Sequence, residues 1–498
     1  MSSWRRPRRA VAVLAAACTA LGLTVLPASA GEAAPDGPKL ARQMTKAVTL
    51  DGMNRHLIAF QRIADRNGGN RAPGTPGLLA SADYVAGKLT AAGFEVTAQD
   101  FPVRYSAPLA ERLVVGGTAV KVHMALYTPD TPVGGVTGPL AVPPDDPTHG
   151  CDATDYANAN YTGTVVLVRR GGCTFAVKQK AAAAAGAIAT IIYNTTDTWL
   201  RASLVSEADA KIPTGGVSRS IGEALLAKAG QSATVELRTL TEMRTSRTLI
   251  AQTTTGRPGN VVMAGAHLDS VVEGAGVGTN GSGAAALLEL ALKMGPAPKV
   301  NNAVRFVFWG SWEFGIVSAP YYLDHLTFEQ QLDIALYLNA DGIAAPNAGY
   351  FVYDGDAGPY GSTAIEDAFA SYLAATGTET ERIPLPAMRS DHLPFLTAGI
   401  PSGGVFTGNQ DVKTPAQAAK WGGTAGVPFD ACYHEACDNL GNIDRSVLDR
   451  NADALAWVTA SYAISTEGVN GVPARSARAA KRAAAARAAT APAGTETR

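Results

Sequence analysis

Four short runs in the second half of the chain constrain its architecture more than any other feature. Val261 to Ala266, Val304 to Phe308, Ile334 to Leu338 and Gly403 to Phe406 are mostly apolar, with little alternation. A strand with one wet face alternates polar and apolar side chains, whereas a strand covered on both faces does not. These runs therefore read as strands of a mainly parallel sheet sandwiched by helices, an α/β architecture. With 498 residues, 46% hydrophobic and 17% charged, the chain has globular composition and length for two or three domains.

Helical periodicity precedes the sheet. Leu50 to Arg66 carries Leu57, Phe60 and Ile63 on one face and stops at Gly68-Gly69. Leu78 to Ala92 is a second helix, closed by Gly93 as a left-handed cap, and Phe94 to Phe101 alternates as a strand. From Tyr105 to Leu240 the character changes to short β-like runs, Pro/Gly turns and one helix, Thr174 to Ala185. The α/β pattern returns at Thr248 and continues to about Ile464. This predicts a discontinuous main domain, 39–104 with 241–466, and a small β-rich insertion, 105–240.

The two ends differ from the body. Arg5, Arg6, Arg8 and Arg9 precede an apolar stretch, Ala10 to Leu26, and Ala28-Ser29-Ala30 has the form of a cleavage site. That is a signal peptide cut after Ala30, too short for a membrane span, and it predicts a secreted protein. Cys18 leaves with it. In an oxidising compartment the remaining four cysteines are expected as two local disulfides, Cys151–Cys173 and Cys432–Cys437. Residues 467–498 are Ala- and Arg-rich, with almost no large apolar side chains after Gly471, and are expected to be a basic tail, disordered or a fraying helix. The whole chain has 42 basic against 43 acidic residues, and the basic excess sits at its ends. The acidic body gives no electrostatic case for binding nucleic acid.

Residues able to ligate a metal follow the ends of the apolar runs. His267 and Asp269 follow the first, Glu313 the second and Asp341 the third, while His434 lies between Cys432 and Cys437. Ligands gather at the carboxyl ends of strands in an open α/β sheet, so His267, Glu313, Asp341 and His434 can converge. Two histidines and two carboxylates suit zinc, with Asp269 able to hold the His267 ring from behind. His56, His123, His149 and His325 have no comparable setting, and His392 is read as a neighbour.

Several longer motifs resemble the exported bacterial di-zinc aminopeptidases. They include Gly68 to Gly74 (GGNRAPG), Met263 to Ser270 (MAGAHLDS), Asn280 to Gly283 (NGSG), Gly349 to Asp354 (GYFVYD), Arg389 to His392 (RSDH), Lys420 to Gly426 (KWGGTAG) and Cys432-Tyr433-His434. Residues 105–240 resemble the protease-associated (PA) domain, a lid module inserted into exported peptidases. The resemblance implies a phosphorylase/hydrolase-like sandwich and release of N-terminal residues from peptides by two zinc ions. It assigns His267 and Asp341 to one zinc and Glu313 and His434 to the other. Tyr433 falls at the position that stabilises the oxyanion, and Arg389 lies in the segment that contacts substrate.

Two family positions are not matched. Where the family has its bridging aspartate this chain has Thr279, and where it has the general-base glutamate this chain has Trp312. A hydroxyl is neutral and does not offset the repulsion of paired dications, and indole accepts no proton. Loss of a base alone costs about 10²–10⁴ in rate. The sequence therefore predicts one zinc or none. Its preferred reading is a degenerate peptidase retained to bind peptides or unfolded N-termini; the alternative is an active aminopeptidase on an altered site.

Overall fold

The structure is a computed structural model that describes residues 37–200, 202–385, 390–467 and 471–490. The expected signal peptide lies outside the described residues. Among those described, no helix is long and apolar enough to cross a membrane.

The four apolar runs are the middle of the sheet. Neighbouring strands run Glu381–Pro384, Phe351–Asp354, Ser402–Phe406, Ile334–Ala340, Arg257–His267, Asn302–Trp309 and Ser232–Gln252. Ser402–Phe406, Ile334–Ala340, Arg257–His267 and Asn302–Trp309 pair in parallel. Burial on both faces follows the period of two. Val262, Ala264 and Ala266 pack with Leu57, Phe60, Leu287 and Leu455 of the helices Leu50–Arg66, Ser282–Met294 and Arg445–Ile464. Their neighbours Val261 and Met263 pack with Trp309, Tyr322, Tyr337 and Phe395 on the other face.

The insertion is joined to the main domain by a two-stranded ribbon. Val96–Val115 pairs antiparallel with Ser232–Gln252 along almost its whole length, from Val96 opposite Ala251 to Val115 opposite Ala233. The predicted strand Phe94 to Phe101 is the first part of this ribbon. Beyond it Val136–Ala141, Val165–Arg169, Ala189–Tyr193 and Thr214–Val217 continue the sheet around a core of their own. Disulfides join Cys151 to Cys173 and Cys432 to Cys437.

The Ala/Arg-rich end departs from the sequence expectation. Of the two forms expected for the tail, Arg475–Thr490 takes the helical one, but it is docked rather than solvated, with Arg478 and Arg482 buried against the body. Alanine and arginine are both strong helix formers, and arginine stems bury apolar length while their heads reach polar groups. Counting large apolar residues missed that contribution.

Candidate metal centre

Each expected ligand sits where the sheet or a braced loop delivers it. His267 ends its strand directly opposite Trp309 on the adjacent parallel strand, and Ala340 ends the next. His267, Glu313 and Asp341 therefore leave the same carboxyl edge. The turn bearing Thr279 is pressed onto that edge. Asn280 Nδ2 donates to the Ala340 carbonyl at 2.7 Å, and a Cβ on Gly283 would collide with that same oxygen.

The four candidate ligands form two pairs. His267 Nε2 lies 3.3 Å from Asp341 Oδ1, and His434 Nε2 lies 3.1 Å from Glu313 Oε2. Two ligands of a tetrahedral zinc with bonds near 2.0–2.1 Å are separated by about 3.3 Å, so each pair has that spacing. The four do not close on a single point. Among the described residues, the group of three His, Cys, Asp or Glu side chains with ligand atoms within 4.8 Å is Asp354, Asp356 and Glu366, elsewhere in the fold. Arg382 bridges that group, contacting Asp356 at 3.4 Å and Glu366 at 2.5 Å.

Asp269 does more than the sequence assigned to it. His267 Nδ1 faces its backbone carbonyl at 3.1 Å and its Oδ1 at 3.4 Å. A carbonyl only accepts, so Nδ1 carries a proton and Nε2 is the nitrogen turned toward Asp341. The Asp269 carboxylate also accepts the backbone N–H groups of Trp312, at 2.9 Å, and Glu313, at 2.8 Å, fixing the turn that carries both.

Trp312 occupies the middle of the site. Its ring stacks on His267, 5.0 Å between centroids and 14° from parallel, and meets His434 edge-on at 5.7 Å. One aromatic side chain thus touches a histidine of each pair. Thr279 is buried, its hydroxyl has no hydrogen-bond partner, and its N–H donates to Asp438 Oδ2 at 3.0 Å. Tyr433 stacks flat on His434 at 3.7 Å. Arg389 lies outside the described residues.

The electrostatics call for a cation. Burial opposes charge on His267, but Asp341 and Asp269 outweigh it and hold the imidazole well above its usual pKa. Burial likewise works against ionised Asp341, yet His267 and the Ser390 hydroxyl, 2.6 Å away, keep it low. Glu313 is raised by burial, only partly countered by His434. Asp341 Oδ1 and Glu313 Oε1 are buried without hydrogen-bond partners. A buried site with nitrogen and oxygen donors at tetrahedral spacing fits zinc.

Sequence reasoning missed three supporting groups. Asp391 is fully buried with neither carboxylate oxygen hydrogen-bonded, and burial raises its pKa well above normal. Arg71 is fully buried and donates to the carbonyls of Leu268, Ala275 and Gly276, stapling the segment behind His267. Asp438 accepts from Gly278 and Thr279 and seats the turn at the bridging position. Asp391 and Arg71 lay inside motifs already singled out, but a motif does not say which way a side chain points.

The insertion reaches the loops on both sides of this site: the Tyr105 ring meets that of Phe314, the residue after Glu313, edge-on at 5.5 Å. Lys121 Nζ lies 3.2 Å from Glu435 Oε2 and 4.0 Å from the centre of the Trp199 ring, and His123 Nε2 lies 3.8 Å from Glu435 Oε1. Glu435 is the residue after His434.

Residues 248–459 match peptidase family M28, and residues 136–225 match the PA domain. The chain belongs to peptidase family M28 and carries an inserted PA domain. It is 43% identical over 456 residues to the probable lipoprotein aminopeptidase LpqL of Mycobacterium tuberculosis, covering 89% of this chain and 91% of that one. Among solved structures, the aminopeptidase from Aneurinibacillus sp. strain AM-1 is 25% identical, with TM-score 0.64 over 84% of this chain and 95% of that one. BSAP, a zinc aminopeptidase from Bacillus subtilis, shares the fold at 22% identity and TM-score 0.63, over 89% and 100% of the two chains.

Proposed function

We propose that this chain is a secreted member of its aminopeptidase family whose pocket binds peptide N-termini and holds at most one zinc ion, with hydrolysis weak or lost. The observation that carries this reading is Trp312, stacked on His267 and edge-on to His434 at the position the family resemblance gives to the base. With Thr279 at the bridging position, each pair offers only two strong ligands, where a catalytic zinc takes three from protein. When bound, zinc would polarise a peptide carbonyl and acidify a water. His267, Asp341, Glu313 and His434 are the residues that would hold it. Trp312 has no acceptor with which to take a proton from water or return one to a leaving amine. The buried carboxylates supply negative charge suited to a peptide's terminal ammonium, and Trp312 and Tyr433 supply aromatic surface.

Metal analysis, hydrolysis of Leu-p-nitroanilide and calorimetric titration with peptides test this reading. The expected result is one zinc or none, no turnover sensitive to chelator, and binding of a free but not an N-acetylated peptide. Two zincs with chelator-sensitive turnover overturn it. That outcome would favour the alternative, an active zinc aminopeptidase on an altered site, which draws support from the tetrahedral spacing of both ligand pairs.

A further inference from the structure

Glu313 and His434 are each followed by a residue that the insertion holds. Phe314 follows Glu313, and the Tyr105 ring meets its ring edge-on, 5.5 Å between centroids. Tyr105 is itself seated firmly: it is buried, and the Arg244 guanidinium lies over its ring, 3.4 Å from the centre. Arg244 pairs with Glu242 at 2.6 Å, and a Cβ on Gly74 would lie 2.6 Å from Arg244 Cβ, so the ribbon is pressed onto the main domain there.

Glu435 follows His434, and its two carboxylate oxygens face the insertion. Oε2 lies 3.2 Å from Lys121 Nζ, and Oε1 lies 3.8 Å from His123 Nε2. Those two side chains share one aromatic support: Lys121 Nζ sits 4.0 Å from the centre of the Trp199 ring, and the His123 ring meets Trp199 edge-on at 5.3 Å. His123 Nδ1 lies 3.7 Å from Glu111 Oε2, and Glu111 accepts the Met124 N–H at 2.7 Å, which ties this group to the ribbon. Beneath the loop, a Cβ on Gly274 would lie 2.6 Å from the Glu435 carbonyl oxygen.

Two separate parts of the insertion thus converge on one histidine–carboxylate pair. The His267–Asp341 pair is braced instead by Asp269 and Ser390 of the main domain. A restraint on the residue after a ligand reaches that ligand through one planar peptide unit. Such restraint bears on metal affinity, because a mobile ligand must be ordered when metal binds.

We propose that the insertion positions Glu313 and His434, through Tyr105 on Phe314 and through Lys121 and His123 on Glu435, so that metal at this pair and seating of the insertion favour each other. The preceding reading is needed only for the residues that would hold metal. Tyr105, Lys121 and His123 are positioning residues, acting through the neighbour of each ligand. The linkage is reciprocal: the factor by which seating strengthens metal binding is the factor by which metal strengthens seating.

Hydrogen exchange on the metal-free full chain, followed by mass spectrometry, tests the assignment. The Gly315 and Ile316 N–H groups bond the Trp312 carbonyl at 2.9 and 3.1 Å, and the Glu435 N–H bonds the Cys432 carbonyl at 3.0 Å, so exchange reports on each turn. Lys121→Ala is expected to speed exchange at Glu435, and Tyr105→Ala at Gly315 and Ile316, each about threefold or more. The insertion's own strands Val165–Arg169 and Ala189–Tyr193 should keep their rates. Lys121→Arg and Tyr105→Phe, which keep the charge and the ring, should restore the slow exchange. Competition for cobalt(II) against a chelator should then show binding about two- to threefold weaker in Lys121→Ala and about five- to tenfold weaker in the double variant. Lys121 is half-exposed, so its variant keeps the proposal testable if Tyr105→Ala unsettles the ribbon. Unchanged exchange at Glu435 in Lys121→Ala, rates that rise equally in the insertion's strands, or cobalt held equally well by the double variant overturns the proposal. The exchange result needs no metal, so it is separate from the zinc stoichiometry on which the preceding reading stands or falls.

Discussion

The two histidine–carboxylate pairs are built from different material. His267 and Asp341 stand at the ends of two adjacent parallel strands, His267 wholly buried and Asp341 nearly so. Asp269 and Ser390 brace them. His434 and Glu313 come from loops. His434 is 12% exposed and has a backbone φ of 59°, a left-handed conformation that non-glycine residues rarely adopt. It is held by the Cys432–Cys437 bridge and by the loop seated through Asp438, while its neighbour Glu435 is gripped from the insertion. The first pair is thus fixed by the same burial that makes the sheet. The second depends on local braces that can change without cost to the core.

The largest test of this contrast restores both missing acids. Thr279→Asp with Trp312→Glu is expected to raise kcat/KM for Leu-p-nitroanilide by about 10² or more with zinc supplied, and each single change by far less. Restored zinc binding without turnover would mean that a further defect governs the site.

The second test removes one histidine at a time from metal-free protein. His267→Ala leaves Asp341 buried without the imidazole that faces it, so a loss of about 3–5 kcal/mol in urea unfolding is expected. His434→Ala should cost about 1–2 kcal/mol, because Glu313, already raised by burial, can take up a proton instead. Equal costs would erase the distinction between the pairs.

A pH series probes the seat beneath Thr279. Burial, followed by neighbouring Asp430, pushes Asp438 up to about 7. The folded chain then binds more protons than the unfolded chain between about pH 4 and 7, so this group makes stability fall as pH rises through that window. The slope is at most about 1.4 kcal/mol per pH unit, and Asp438→Asn should flatten it. The smallest effect is expected at the insertion. Lys121→Ala removes a half-exposed ion pair, which should change stability by less than about 1 kcal/mol while weakening zinc at the His434 pair about two- to threefold.

The sheet, and the polar residues that leave its carboxyl edge, were legible in sequence for one reason. Strands buried on both faces cannot hide their composition, and the polar residues that end them stand out: Val261 to Ala266 lies within Arg257–His267, and Ile334 to Leu338 within Ile334–Ala340. The helix Leu50–Arg66 was equally clear, although Ala64 rather than Ile63 completes its buried face. What the sequence hid depends on long-range contact. Asp269 reads as a partner of the nearest histidine, yet it also grips a turn more than forty residues away. Trp312 stacks on one histidine and meets the other edge-on, and spacing says nothing of where an indole lies. Arg478 and Arg482 looked like solvated charge because their partners are mostly backbone carbonyls, which carry no signature in sequence.

The ribbon between the two parts of the chain has a practical consequence. Val96 sits opposite Ala251 and Arg104 opposite Met243, so the outgoing and returning segments are ladder neighbours before the insertion begins at residue 105. Excising that module would therefore leave two aligned stubs rather than two distant ends. An Asn-Gly dipeptide could rejoin them as an ordinary hairpin. A main domain without the insertion is within reach of a single deletion, and comparing it with the intact chain would isolate what the insertion contributes.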